Sequence, residues 1–156
     1  VTHIEEPHMY RTMTVVLVIA FAPLALTAEP KAKPDPVARD LKALDGKWEV
    51  ESHEINGKKA VDAGYYSPKT IVIADGKMDL YAETPDRPIE IDPTKTPKAI
   101  DVYIPGAMKA KAHEKGIYAL DGDKLTICLP LSTERERPAK FSSADFHSLF
   151  VLRRMK

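Results

Sequence analysis

The run TIVIADGKMDLY, Thr70 to Tyr81, decides the reading of the fold. A β-branched stretch leads into Asp75-Gly76 and out again through Lys77 to Tyr81. An Asp-Gly pair between two such stretches is the chemistry of a two-residue hairpin turn, so Thr70–Ala74 and Lys77–Tyr81 are expected to pair as antiparallel strands. The pattern recurs in GIYALDGDKLTICL (116–129), where Gly116–Leu120 and Lys124–Leu129 flank Asp121-Gly122-Asp123. Upstream, Lys47–Ile55 runs into Asn56-Gly57, a pair that tolerates positive φ at both positions. Downstream, Pro88–Ile91 and Ala99–Ile104 flank DPTKTPK (92–98), whose Pro93 and Pro97 mark a turn, and Ser148–Arg154 makes a last strand. Within Ala99–Ile104, Ile100, Val102 and Ile104 alternate with Asp101 and Tyr103, which gives that strand one buried side.

These segments amount to eight strands with short, local connections. None of the connections holds a helix long enough for a parallel crossover, so an all-β antiparallel domain is expected. Eight such strands can close on themselves and remove their exposed edges, which favours a barrel over a sandwich. Lys58–Ser67 is read as an irregular connection, and Val37–Leu44 as a short helical turn closing one end of the domain.

At 156 residues and 44% apolar, the chain has the size and composition of one domain with its own core. Lysine plus arginine and aspartate plus glutamate each number 23, so no excess positive charge exists to draw phosphates, and nucleic acid is excluded as an expected partner. Cys128 is the only cysteine, which rules out an internal disulfide framework and any multi-cysteine metal site. It stands in the apolar run Leu125–Leu129 and is expected to be a small buried hydrophobe.

Ahead of the domain, TVVLVIAFAPLAL (14–26) has the length of a signal-peptide core and falls short of the roughly 20 residues of a spanning helix. Arg11 precedes it, Pro23 breaks it, and cleavage is expected after Ala28, with translation starting at Met9. The expected organisation is thus 1–28 as N-terminal extension and signal peptide, 29–40 (EPKAKPDPVARD) as a linker, and 41–156 as the barrel domain. The product would be exported, periplasmic or extracellular, and held at a membrane only if the signal is uncleaved.

LDGKW (44–48), with IDPTKTPKAIDV (91–102), GIYALDGDKLTICL (116–129), RPAKFSS (137–143) and the basic end FVLRRMK, resembles a lipocalin-like family of small exported domains of unknown function, abundant in planctomycetes. The resemblance implies an eight-stranded, calycin-type barrel in which Gly46 and Trp48 form the floor and Arg154 stacks on the indole. It also implies an interior lined by Val50, Ile71, Met78, Ile100, Val102, Ile117, Ile127 and Phe150 that takes a small hydrophobic ligand. The alternative is an envelope protein–protein interaction or inhibitor module with a filled barrel and no ligand, in which loops around Tyr65-Tyr66 and 130–146 make the contact.

The sequence offers little support for other chemistry. His53, His113 and His147 stand at no metal-ligand spacing, and no cofactor or metal is expected. Glycine occurs only seven times and never as a phosphate-binding loop, and Asp121-Gly122-Asp123 lacks the further ligands of a calcium loop. Ser142-Ser143 are read as turn or capping residues, His113-Glu114 as loop surface, and Glu134–Pro138 as a solvated loop of alternating charge. With no constellation of acid, base and nucleophile, the chain is read as non-enzymatic and without catalytic residues.

Overall fold

The computed structural model describes residues 35–80, 87–106 and 113–156; the expected signal peptide and most of the expected linker lie outside them. One helix, α1 (Pro36–Leu44), precedes nine strands: β1 (Gly46–Ile55), β2 (Lys58–Lys59), β3 (Thr70–Ala74), β4 (Lys77–Asp79), β5 (Arg87–Asp92), β6 (Lys98–Tyr103), β7 (His113–Asp121), β8 (Lys124–Pro130) and β9 (His147–Arg154). Every pairing is antiparallel. Neighbours run β1-β3-β4-β5-β6-β7-β8-β9, and β9 pairs back onto β1, so eight strands close a barrel. The two-residue β2 extends the same edge of β1 beyond the point where β3 leaves it.

The turns carry out the chemistry of their residues. Asn56-Gly57 and Asp75-Gly76 each place two successive residues at positive φ, between Ile55↔Lys58 and Ala74↔Lys77. The helix is set by Pro36 in its first turn and by Asp35, whose side chain accepts the Val37 N–H at 3.0 Å. It therefore starts inside the 29–40 segment expected to be a linker, because that proline is placed where a helix tolerates it. Strand β7 begins at His113, earlier than Gly116, and β6 stops at Tyr103 rather than Ile104.

A bulge lies in β1, where the register with β9 shifts between Val50 and Ser52. An inserted residue flips the alternation. Before the bulge Trp48 is buried, with Val50 packed against the core; after it the buried positions are His53 and Ile55. That flip turns a histidine inward.

The core is the barrel interior: Trp48, Ile71, Ile73, Met78, Ile100, Val102, Tyr118, Leu125, Ile127, Phe150 and Leu152 pack into one cluster with Leu44 of α1. Each large apolar side chain fully withdrawn from water contributes about 1.5–3 kcal/mol. A second, outer layer exists on one wall. Ala99, Ile117 and Cys128 are buried in neighbouring register positions but stand outside that cluster, and the 131–146 segment covers them. Ile117, expected to line the interior, is thus on the outer face. Tyr118 takes the inward place, because its hydroxyl finds Asp40 at 3.1 Å and its ring is buried with the core.

Candidate functional site at the ends of the barrel

The closed end is built from α1, the start of β1 and the end of β9. Trp48 is fully buried and its indole N–H donates to the Leu44 carbonyl at 2.9 Å. The Arg154 guanidinium lies 4.2 Å from the centroid of the Trp48 ring and donates to the carbonyls of Ala43 and Asp45, both at 2.6 Å. One cation therefore covers the indole and satisfies the carbonyl end of the helix, where positive charge is favoured. Gly46 is required between them: its φ is +145°, and a Cβ there would lie 2.6 Å from Arg154 Nη1. Asp40 completes the plug through Lys98 and the Tyr118 hydroxyl. Burial pushes the Asp40 carboxyl up, but its hydrogen bonds from Lys98, Tyr118 and Arg39 outweigh that and hold it below the usual range. These contacts are structural: Trp48, Arg154, Asp40 and Tyr118 direct their polar groups to partners within the protein.

Of the side chains expected to line a ligand space, Ile71, Met78, Ile100, Val102 and Ile127 are 0% exposed and Phe150 1%. A void large enough for one water would leave some of that surface accessible, so these walls pack on one another. Val50 is half-buried at the edge of the same cluster.

The end opposite α1 is more polar among the described residues. Arg87 shares the face of Ile89 on β5, and Glu114 shares that of Gly116 and Tyr118 on β7, so both point into the barrel. They pair at 3.0 Å with side chains 8% and 18% exposed, while Arg87 Nε donates to the Tyr103 carbonyl at 3.1 Å. Burial raises the Glu114 carboxyl, and the Arg87 charge offsets part of that rise. His113-Glu114 is accordingly not loop surface; the alternation running back from Tyr118 was the signal that could have shown it.

Across from β5 and β7, His53 bridges two hydroxyls: Nδ1 to Ser67 Oγ at 3.1 Å and Nε2 to Ser148 Oγ at 2.8 Å. Its ring stacks on Phe150 at 4.0 Å. Burial lowers its pKa to about 4, so it is neutral at pH 7. A serine against a histidine invites comparison with a nucleophile and its base. An imidazole so reluctant to take a proton is a weak base, and its second nitrogen faces a hydroxyl, not a carboxylate that would stabilise the imidazolium.

Ser67 belongs to the 60–69 segment, which is folded on itself: the N–H groups of Ala63 and Tyr65 donate to the Ala60 carbonyl, and Asp62 N donates to Lys59 O. This turn holds Val61, Tyr65 and Tyr66 outward, at 63%, 48% and 61% exposure. A cleft of about 460 Å³ runs along one side of Ser67-Pro68-Lys69, with His53 and Val61 in its wall, and one of about 310 Å³ along the other, beside Tyr66 and Val72.

The 131–146 segment supplies another apolar projection. Phe146, with φ +61°, is exposed, its N–H donating to Asn56 Oδ1 at 2.7 Å and its ring under the Arg135 guanidinium at 4.3 Å. The run Glu134–Pro138 is not merely solvated. Arg137 donates to Asp101 at 2.7 Å and to the carbonyls of Ile100 and Gly116, pinning the segment to the outer wall. Ser142 and Ser143 serve the turn, Ser143 accepting from Gly57 N and donating to Glu54.

Among the described residues no group of three or more His, Cys, Asp or Glu side chains is arranged to hold a metal ion, and no helix is long and apolar enough to cross a membrane. Comparisons with protein-family models, curated proteins and solved structures found no match.

Proposed function

We propose that this chain is an exported, lipocalin-like interaction module, whose barrel is filled and whose end opposite the helix binds another protein through Tyr65, Tyr66 and Phe146. The observation that carries this reading is the complete withdrawal from water of Ile71, Met78, Ile100, Val102 and Ile127, which leaves no room among them for the small hydrophobic ligand that the resemblance implies. What faces solvent instead is a set of aromatic side chains on self-supporting turns. Tyrosine and phenylalanine bring large, rigid contact area at small entropic cost, and holding them in advance reduces the cost of association. Phe146 is a bulky residue in the left-handed region, a strained conformation maintained by Asn56 and Arg135. The zero net charge favours a protein surface over a polyanion. The floor of Gly46, Trp48 and Arg154 supports the lipocalin-like assignment, and the apolar run 14–26 supports export.

The test places a photo-crosslinking amino acid at Tyr66, and at Asp123 beside the closed end as a control, in the secreted protein. One discrete protein adduct from position 66, absent from position 123 and lost in Tyr65→Ser, is expected. Native mass spectrometry of the detergent-free protein should show the bare chain. A small-molecule adduct released by denaturation would overturn the filled-barrel reading and restore the ligand carrier.

A further inference from the structure

We propose that His53 is a proton-operated latch, which in its neutral form holds the 60–69 segment against the barrel and on protonation releases it. Its use in regulating a partner rests on the interaction reading above; the latch itself does not.

The placement comes first. On the edge of β1, pairing with β3 ends at Glu49↔Thr70, and pairing with β2 begins only at Glu54↔Lys59. Between these points the 60–69 segment covers the edge. Its roots are fixed by Val50 N to Lys69 O and Ala60 N to His53 O, both at 2.9 Å. Between the roots, Ser67 Oγ on His53 Nδ1 is a side-chain tie, next to the buried Pro68.

Protonation changes what that tie can be. A neutral imidazole presents one donor and one acceptor, matching two hydroxyls that each can play either part. An imidazolium has two donors, which both hydroxyls can still accept, but its charge lies in a site lined by Phe150 and Ser148 and withdrawn from water while the segment covers it. Burial of the ring disfavours the charged form and lowers its pKa. The ionisable groups around the same cleft are Glu49 and Glu51 of β1, Lys59 of β2 and Lys69 of the segment, two acids against two bases, with Glu51 already engaged by Arg153. β9 contributes only the neutral Ser148 and Phe150. No excess negative charge retains the imidazolium, and water reaches it when the 66–69 stretch lifts.

With a folded pKa of about 4 and an ordinary value of 6.5, each pH unit across that interval favours the open form about tenfold, on the order of a hundredfold in all. The experiment is hydrogen exchange of the full chain from pH 7 to pH 4, corrected for intrinsic rates, with the β7–β8 amides as an internal standard for global opening. Protection of 60–69 should fall on the order of a hundredfold, through an opening that stays more frequent than the global one at every pH, following the His53 ring titration seen by NMR. His53→Gln keeps a donor and an acceptor without titrating, and should flatten the pH dependence. Ser67→Ala should lower protection already at pH 7, and decides the matter should the glutamine variant fold poorly. Unchanged protection of 60–69 while His53 titrates, or the same pH profile in His53→Gln, would sink the latch. Failure of the Tyr66 crosslink with a normal exchange profile would instead remove the partner and leave the latch standing.

Discussion

Arg154 joins three things that would otherwise be separate: the face of Trp48, the last carbonyls of α1 and the end of β9. Arg154→Ala should therefore lower stability by about 2–3 kcal/mol in chemical denaturation, the range for charge-assisted hydrogen bonds reduced by partial exposure. Arg154→Lys should recover less than half, since an ammonium cannot both lie flat on the indole and fork to two carbonyls. Gly46→Ala should cost at least as much as Arg154→Ala, because the added carbon needs both a forbidden φ and the space of Nη1. His53 sets a pH dependence of opposite sign to that of a histidine paired with a carboxylate. Its folded pKa, about 4, lies below the ordinary 6.5, so the unfolded chain binds the proton first and stability declines as pH falls through that window. The loss should reach about 3 kcal/mol at pH 4 and vanish in His53→Gln, measured as unfolding midpoints along a pH series.

The hairpins are the elements most legible in the sequence, because Asn56-Gly57, Asp75-Gly76 and Asp121-Gly122-Asp123 state their geometry in two or three residues. Facing was legible only where alternation ran undisturbed, as in Ile100-x-Val102. At β1 it gave Trp48 and Val50 but could not reach His53, because the bulge reversed the alternation without a glycine to announce the change, and it failed at β7, where a tyrosine outcompeted an isoleucine for the interior through a partner 78 residues away. The ion pair of Arg87 and Glu114 was hidden for a similar reason: charged residues at strand ends are ordinarily read as rim. At this scale, Arg87→Ala leaves Glu114 buried without its cation and should cost about 3–5 kcal/mol, whereas the double replacement Arg87→Met with Glu114→Leu should be close to neutral. Equilibrium denaturation of the single and double variants separates the two. The outer strap depends on Arg137 in the same way, and Arg137→Ala should raise proteolytic cleavage within 131–146 severalfold while the barrel remains intact.

For the whole molecule, one filled interior governs both stability and the functional reading. Ile127→Ala, in the middle of the cluster, should cost about 2–5 kcal/mol by vacating space that no other side chain fills. That engineered void, unlike the native barrel, should take up a small apolar probe such as benzene, visible as a rise in melting temperature that the parent protein does not show. A parent protein that gains equally from the probe would mean the native interior already has room. The expected signal peptide lies outside the described residues, whereas the segments that carry the family resemblance lie within them, and the protein's chemistry was least legible where strands far apart in sequence bring His53, Ser67 and Ser148 together.

The seam between β1 and β9 joins residues about a hundred positions apart, a separation that places barrel closure among the slow, non-local steps of folding. A nascent chain complete through Pro130 already owns every neighbouring ladder from β3 to β8, yet its first strand has no partner on one side and the floor tryptophan has no arginine above it. Such an intermediate exposes two raw sheet edges. Synthesis of the final strand is therefore the commitment step: until it arrives the molecule is a curled ribbon that remains unfoldable into its working form, and a chaperone acting on this protein would have its longest opportunity at that stage.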